Sequence, residues 1–425
     1  MVTEKRKSNL RRTLSKYVVL ILITLLFTAS GSQTFQNSDS NDPQKTVESF
    51  YEQWTFLENS HSVEEKEKKQ LEIVNQLFNL SRLAPQIVQK HWAKLNSFEQ
   101  TSFLNALRES IKNKLKQELR SSNANTEKFE FKKKEIKENF ATLRYDVNKK
   151  NKAIELVLYL LKDEEGNWKI TNMKFGKNSL LRYYYGYCDN LLNKYSMPYL
   201  IGELGDYGYI ELENFEASDV DKLPKRWTWK AKDNKKNKPY YVKEEDGNKY
   251  LAAKDHGESV IIGKNIKWNL KKYPYVSFRW RVHKIPEGAD ERFNKKIDSA
   301  AGIYFVFKKK LGFIPESVKY VWSSTLPVGS AMLRSGIGKP WMVVADSGKE
   351  HLGEWRTYVF NAYEAYRKTF GGKPPDTPVG VGILSDANSM RKVNKDAVAY
   401  ADYDDIRALK HADADSGVKE RLKAE

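Results

Sequence analysis

Residues 154–192 read IELVLYLLKDEEGNWKITNMKFGKNSLLRYYYGYCDNLL, and the period of their apolar positions changes within that stretch. Ile154–Leu161 is an apolar run of strand length. Glu165-Gly166-Asn167 supplies a turn, and Trp168 and Ile170 then alternate on a return strand. Beyond it Leu180, Tyr184, Cys188, Leu191 and Leu192 recur at three- and four-residue spacing, which is one face of a helix. A hairpin that feeds an amphipathic helix predicts a sheet covered on one side by helices.

The residues upstream extend the same pattern. Phe129 and Phe131, then Ala141, Leu143 and Tyr145, alternate as strands do, predicting a meander of about four antiparallel strands. Helices precede it. Val47, Phe50, Tyr51, Trp54 and Leu57 form one stripe, and Leu71, Val74, Leu77 and Phe78 form a second. Ser97-Phe98-Glu99-Gln100 has the form of a capping box and predicts a helix starting at Ser97. Phe103, Leu104, Leu107, Ile111, Leu115 and Leu119 continue that helix as a long apolar stripe. The order is helices, meander, helix: an α+β domain over residues 45–208.

The segments FNLSRLAPQIVQKHWAKLNSFEQTSFLNALRESI (78–111), GNWKITNMKFGKNSLLRYYYGYCDNLL (166–192) and YLIGEL (199–204) carry a family likeness. In order and spacing they resemble the periplasmic phospholipid carriers of the MlaC type, the toluene-tolerance family. Phe78, Arg82, Trp92, Phe103, Trp168, Ser179, Leu180 and Tyr184 fall on that family's recurring positions, while Asn79 stands where an aspartate is usual. The resemblance implies a cavity between helices and curved sheet that holds acyl chains. It also implies an inner-membrane ABC transporter complex and an outer-membrane lipid-transfer partner. Trp92, Leu104, Leu107, Ile111, Leu143, Leu156, Leu158 and Tyr184 are the expected lipid-binding wall. The same stripes would equally fill a packed core. Sequestering two chains of about sixteen carbons at ~0.8 kcal/mol per methylene is a gross gain of order 25 kcal/mol. Such a site needs no catalytic residue, no cofactor and no metal.

After Gly202, Gly205 and Gly208 the texture becomes β. Strand-like runs lie at Tyr240–Val242, Val260–Ile262, Tyr275–Val282, Ala301–Phe307, Val318–Trp322, Trp341–Val344, Glu354–Phe360, Val379–Leu384 and Ala397–Tyr403, with a helix only at Ala362–Phe370. In Tyr275–Val282, the side chains Val276, Phe278, Trp280 and Val282 point one way and Arg279 and Arg281 the other. Runs of this spacing predict a jelly-roll-like β-sandwich over 209–408. The segments FRWRV (278–282), AGIYFVF (301–307), VKYVWSSTLPVG (318–329), GVGILSDANS (380–389) and AYADYDDI (399–406) resemble an uncharacterised family of exported bacterial domains. That likeness implies a sandwich similar to carbohydrate-binding modules and no activity. Trp280, Tyr304, Trp322 and Trp341 are candidate stacking rings for a glycan or partner, with Arg279, Arg281, Asp386 and Asp404 as polar contacts. The alternative function is therefore an envelope glycan-binding protein. A glycoside hydrolase is its enzymatic form, since Glu287/Asp290 and Asp404/Asp405 supply paired carboxylates.

Composition narrows the setting. Lys and Arg number 73 against 55 Asp and Glu, a net charge of +18. Lysine runs at 132–134, 149–152, 235–238 and 308–310 suit anionic headgroups. Cys188 is the single cysteine, so no intrachain disulfide forms. Lys5, Arg6, Lys7, Arg11, Arg12 and Lys16 precede the apolar run Tyr17–Phe27 and the small residues Ala29-Ser30-Gly31. This is the pattern of a secretory signal peptide over 1–31. The run is shorter than the roughly 20 residues of a membrane span, although an uncleaved anchor would have the same charges. A periplasmic location follows, with no nucleic acid as partner. A polar tether over 32–44 and a charged tail over 409–425 complete the expected organisation.

Overall fold

The computed structural model describes residues 42–60, 62–121, 128–149, 152–310, 314–333 and 340–414. The expected signal peptide, most of the expected tether, residues 150 and 151 of one lysine run, and residues 415–425 of the tail lie outside the described residues. The chain divides into two units, Met1–Leu191 with Leu204–Asp206, and Leu192–Glu203 with Tyr207–Glu425.

The first unit opens with helices α1 (Pro43–Ser60), α2 (Val63–Leu77) and α3 (Leu80–Val88), followed after a 3-10 turn by α4 (Ser97–Ser121). Strands β1 (Lys128–Lys137), β2 (Phe140–Lys149), β3 (Lys152–Lys162), β4 (Trp168–Phe175) and the short β5 (Asn178–Ser179) form one sheet in chain order. Helix α5 (Leu180–Leu192) closes the unit. The sheet is an antiparallel meander, with β1 and β5 at its ends. Leu143 pairs with Leu158 and Tyr145 with Leu156, and all four are fully buried. Arg144 and Glu155, one residue along, lie on the solvent face and pair at 2.9 Å. Helices therefore cover one face of the sheet only, as the alternation requires.

The start of α4 corrects the expected capping box. Asn96, not Ser97, is the cap: Glu99 N–H donates to Asn96 Oδ1 at 3.0 Å, and Asn96 N–H donates to Glu99 Oε2 at 3.1 Å. The reciprocal pair is the Asn-x-x-Glu form of the box, with Ser97 as first helical residue. Asn79 plays the same role for α3, accepting from Arg82 N–H at 3.0 Å, a bond an aspartate would also make. Helix α3 was not legible from the sequence, because Pro85 sits inside it.

The second unit holds most of α6 (Met197–Gly205) and is otherwise mostly strand. One sheet holds β7 (Thr228–Trp229), β10 (Ile262–Asn265), β12 (Ala301–Lys310), β13 (Ile314–Ser323), β14 (Ala331–Leu333), β15 (Trp341–Ser347) and β17 (Gly380–Ile383). The other holds β6 (Tyr209–Glu213), β8 (Tyr240–Glu245), β9 (Asn248–Asp255), β11 (Tyr275–Lys284), β16 (Arg356–Asn361) and β18 (Ala399–Leu409). Helix α7 occupies Ala362–Phe370, as read from the sequence. The pairs are antiparallel except β13 with β15. Phe278 on β11 meets Phe305 of β12 at 6.3 Å and Tyr320 of β13 at 5.9 Å, joining the two sheets through ring contacts. Trp280 meets Trp322 at 6.4 Å in the same layer.

Two outcomes follow. Asn96→Ala should lower the stability of the first unit by about 1 kcal/mol, read by urea unfolding. Phe278→Ala should cost the second unit about 3–5 kcal/mol in the same experiment, because the ring has neighbours on both sheets.

Candidate functional site

In the first unit, Leu107, Leu143, Leu156 and Leu158 are 0% exposed, and Ile111 and Tyr184 are almost as buried. Tyr184 donates to Ser110 Oγ at 3.2 Å, tying α5 to α4, and burial pushes its phenol well above the ordinary tyrosine range. Cys188, also on α5, is buried, and its thiol is pushed up to about 12 by desolvation. The other two wall candidates lie apart. Trp92 is half-buried on the 3-10 turn, its ring edge-on to Phe103 at 6.1 Å. Leu104 lines a surface groove of about 270 Å³ with Asn75, Asn79, Ser81, Arg108 and Lys169. That groove is mixed: Phe78 and Leu80 line it beside Leu104, while Arg108 donates to Asn105 at 2.6 Å and Lys169 pairs with Asp163 at 3.0 Å.

The interior holds two polar atoms that the apolar pattern did not reveal. Trp54 Nε1 on α1 and Tyr145 Oη on β2 are buried and have no hydrogen-bond partner among the described residues. Burial, then the charges of Glu48 and Asp42, raise the Tyr145 phenol above its ordinary value, so it stays a donor. Both atoms are donors in search of an acceptor.

The candidate contacts of the second unit do not form one patch. Trp280 and Trp322 are 0% exposed, locked in the layer between the sheets, which leaves neither a face for a sugar. Tyr304 lies on β12 with Lys319 Nζ 5.3 Å from its ring, and Trp341 begins β15. Asp386 accepts from Asn388 N–H in a turn. Only Arg279, Arg281 and Asp404 come together, on the outer face of the β6–β8–β9–β11–β16–β18 sheet. In register there, Arg279 faces Asp404 and Arg281 faces Asp402. Arg279 bonds Asp404 at 2.5 Å and Asp405 at 3.0 Å, and Arg281 bonds Asp402 at 2.9 Å and Glu245 at 2.9 Å. The remaining candidate carboxylates are held elsewhere, Glu287 by Lys349 at 2.6 Å and Asp290 by Arg292 at 2.6 Å. Among the described residues no three His, Cys, Asp or Glu side chains gather to hold a metal ion.

Sequence reasoning missed the neighbours of those arginines. Trp355 lies against both guanidiniums, Tyr250 beside it, and His283 stacks on Tyr400 at 4.3 Å. His283 was reachable, being the next outward position after Arg279 and Arg281 on the same strand.

Burial raises the proton affinity of several carboxylates of this unit. Asp404 is pushed up to about 7 by desolvation and then by the charge of Asp405, against the pull of Arg279. Asp255 rises to about 7 and Glu211 to about 8, again chiefly through burial.

Residues 55–206 match the family model described as MlaC protein, and residues 225–407 match the model described as protein of unknown function, DUF3047. The N-terminal half thus resembles MlaC proteins, and the C-terminal half resembles a family without an assigned function. No curated protein matches the chain. Among solved structures, a phospholipid-binding protein from Ralstonia solanacearum in complex with a phospholipid is 13% identical with a TM-score of 0.31, over 39% of this chain and 96% of its own. The family 30 carbohydrate-binding module of a cellulosomal cellulase of Clostridium thermocellum is 13% identical with a TM-score of 0.25, over 47% of this chain and 96% of its own. A mannan-recognising carbohydrate-binding module is 14% identical with a TM-score of 0.20, over 48% of this chain and 98% of its own.

The raised carboxylates fix a pH dependence. Their folded-state affinities for protons exceed the unfolded ones, so the native second unit binds more protons between about pH 4 and pH 8. Its stability should therefore rise as pH falls from about 8 to about 5. Urea unfolding at several pH values checks this, and Asp404→Asn should flatten the slope near pH 7.

Proposed function

We propose that the first unit binds a phospholipid between its helices and its sheet, and that the protein carries this lipid in the periplasm. The observation that carries the reading is the interior itself. It is walled by Leu107, Leu143, Leu156 and Leu158 and holds two buried donors without acceptors, Trp54 Nε1 and Tyr145 Oη. A phospholipid has the complementary composition: apolar chains for the wall, and ester and phosphate oxygens that accept hydrogen bonds but donate none. The match of residues 55–206 to the MlaC model supports the same reading. The wall side chains are fully buried, so loading requires the helices to part from the sheet. Among the described residues no helix is long and apolar enough to cross a membrane.

The protein acts by binding rather than by catalysis. Releasing a lipid with two long chains into water costs far more than thermal energy supplies. Delivery therefore needs a partner that offers a comparable apolar site. An inner-membrane ABC transporter complex and an outer-membrane acceptor fill those roles, with the second unit as a docking module.

Native mass spectrometry with lipid extraction, on chain purified gently from a bacterial envelope, should give one phospholipid per chain. A clean apo mass in repeated preparations would sink the proposal. Tyr145→Phe separates ligand from fold. Removing an unpartnered buried hydroxyl should leave the apo protein as stable or slightly more so. Lipid occupancy should nevertheless fall several-fold, as a lost hydrogen bond of about 1 kcal/mol implies. Leu156→Asp should abolish bound lipid, and also destabilise the unit.

A further inference from the structure

We infer that the second unit docks on an anionic lipid surface through two loop tips, one carrying Phe293 and the other Val393. The tips belong to the β11–β12 connection (residues 285–300) and the β17–β18 connection (residues 384–398). They read Arg-Phe-Asn-Lys (292–295) and Lys-Val-Asn-Lys (392–395), so each sets a cation, an apolar side chain, an asparagine and a lysine in the same order. Phe293 is 56% exposed and Val393 81%. One exposed apolar residue on a protein surface is ordinary. Two in the same basic setting, on loops distant in the chain, have a shared cause.

The two loops rise from one base. Ala289 at the foot of the first, with Met390 and Ala397 at the feet of the second, form a single buried apolar cluster. Asp298 accepts from the N–H groups of Ser389 and Met390 at 3.1 and 2.7 Å, and Asp386 N–H donates to the Ser299 carbonyl at 3.0 Å. Each loop is also closed on itself. Asp290 N–H donates to the Lys296 carbonyl at 2.7 Å, and Arg391 Nη1 donates to the Ala397 carbonyl at 3.0 Å. Phe293 is four residues along the chain from Ala289 and Val393 three from Met390, so each lies within ~15 Å of the shared base. Both tips are therefore within reach of one patch of a partner surface.

Charge selects the partner. Lys295, Lys296, Lys392 and Lys395 are all exposed, and among the described residues none of the four pairs with a carboxylate. Arg292 is different, because Asp290 holds its guanidinium through Nε at 2.9 Å and Nη2 at 2.6 Å. That guanidinium lies 5.6 Å from the Phe293 ring and still leaves the residue more than half exposed. Four unpaired ammonium groups around two protruding apolar side chains complement a bilayer at two depths. The lysines meet anionic headgroups, and Phe293 and Val393 enter the boundary of headgroups and acyl chains beneath them. A small anion would engage the lysines and leave both apolar tips in water. An acidic protein would need a pocket matched to each tip, whereas a bilayer accepts them wherever they land.

The test places an environment-sensitive NBD fluorophore on the full chain at Val393→Cys; Cys188 is 0% exposed and stays unlabelled in the folded protein. Vesicles of equal parts phosphatidylcholine and phosphatidylglycerol should shift the emission to the blue and raise it several-fold, and phosphatidylcholine alone should leave it unchanged. Lys295→Gln with Lys392→Gln should weaken the vesicle affinity more than tenfold, since each lysine near an anionic surface is worth about fivefold. Phe293→Ser should weaken it about tenfold. These side chains are exposed, so circular dichroism and the thermal midpoint should match the parent chain. A second label at Glu244→Cys should stay in water. Glu244 sits at the far end of the β8–β9 hairpin from Asp255, which accepts from Ala387 N–H at the base of the second loop. The proposal is overturned if the Val393 label stays in water with the anionic vesicles, if neutral vesicles shift it equally, if the shift survives the lysine variant, or if the Glu244 label moves as far. It is also overturned if poly-glutamate shifts the Val393 label as strongly as the vesicles do, which would assign the tips to an acidic protein. Because the readout is local to the tip, it is distinct from lipid uptake by the first unit.

Discussion

The ladder between β11 and β18 places two guanidiniums against two buried aspartates, and the second unit is organised around that register. Because side chains alternate, seating Phe278 and Trp280 between the sheets commits Arg279 and Arg281 to the outer face. Charges there are only tolerable if paired, since an isolated buried carboxylate or guanidinium would be strongly destabilising. Asp402 and Asp404 meet that need from the neighbouring strand. A slip of one residue would bury the arginines in the aromatic layer and expose the rings. Register, core and outer face are thus one decision.

The first unit obeys a parallel constraint with a different result. Its sheet also has one inward face, but helices rather than a second sheet cover it, and aliphatic side chains dominate. Helices on a sheet can separate without breaking a strand ladder, because the hydrogen bonds run within each layer. Two packed sheets stitched by rings offer no comparable freedom. The chain therefore joins a unit whose aliphatic interior lies under helices to one whose core is a layer of rings between two sheets.

Much of this was written in the sequence. The helix–meander–helix order, α7, and the alternation of Tyr275–Val282 follow from periodicity, which local composition states directly. Other features depend on partners distant in the chain. Strand β9, NKYLAAKD, has weak strand propensity and forms because β8 and β18 pair on either side of it. Trp280 and Trp322 look like platforms in one dimension and are core in three, whereas Trp355 reads as an ordinary strand residue until Arg279 and Arg281 are seen against it. The capping box was one residue off because Asn96 and Ser97 are both competent caps, and only the bond from Glu99 distinguishes them. Unsatisfied atoms such as Tyr145 Oη and Asp402 Oδ1 have no signature in sequence at all, since they are defined by what is missing around them.

The lysines of β1 have a consequence of their own. This strand ends the five-stranded sheet, so among the described residues one side of its backbone has no neighbouring strand. An open, flat edge invites the same edge of another molecule, the first step towards aggregation. Lys132, Lys133 and Lys134 stand there in succession, and the ladder is broken by a bulge between Phe131 and Lys133. Bringing two such strands together would crowd like charges onto a distorted template. The basic run that looks suited to attracting anions is also well suited to keeping two copies of the protein apart.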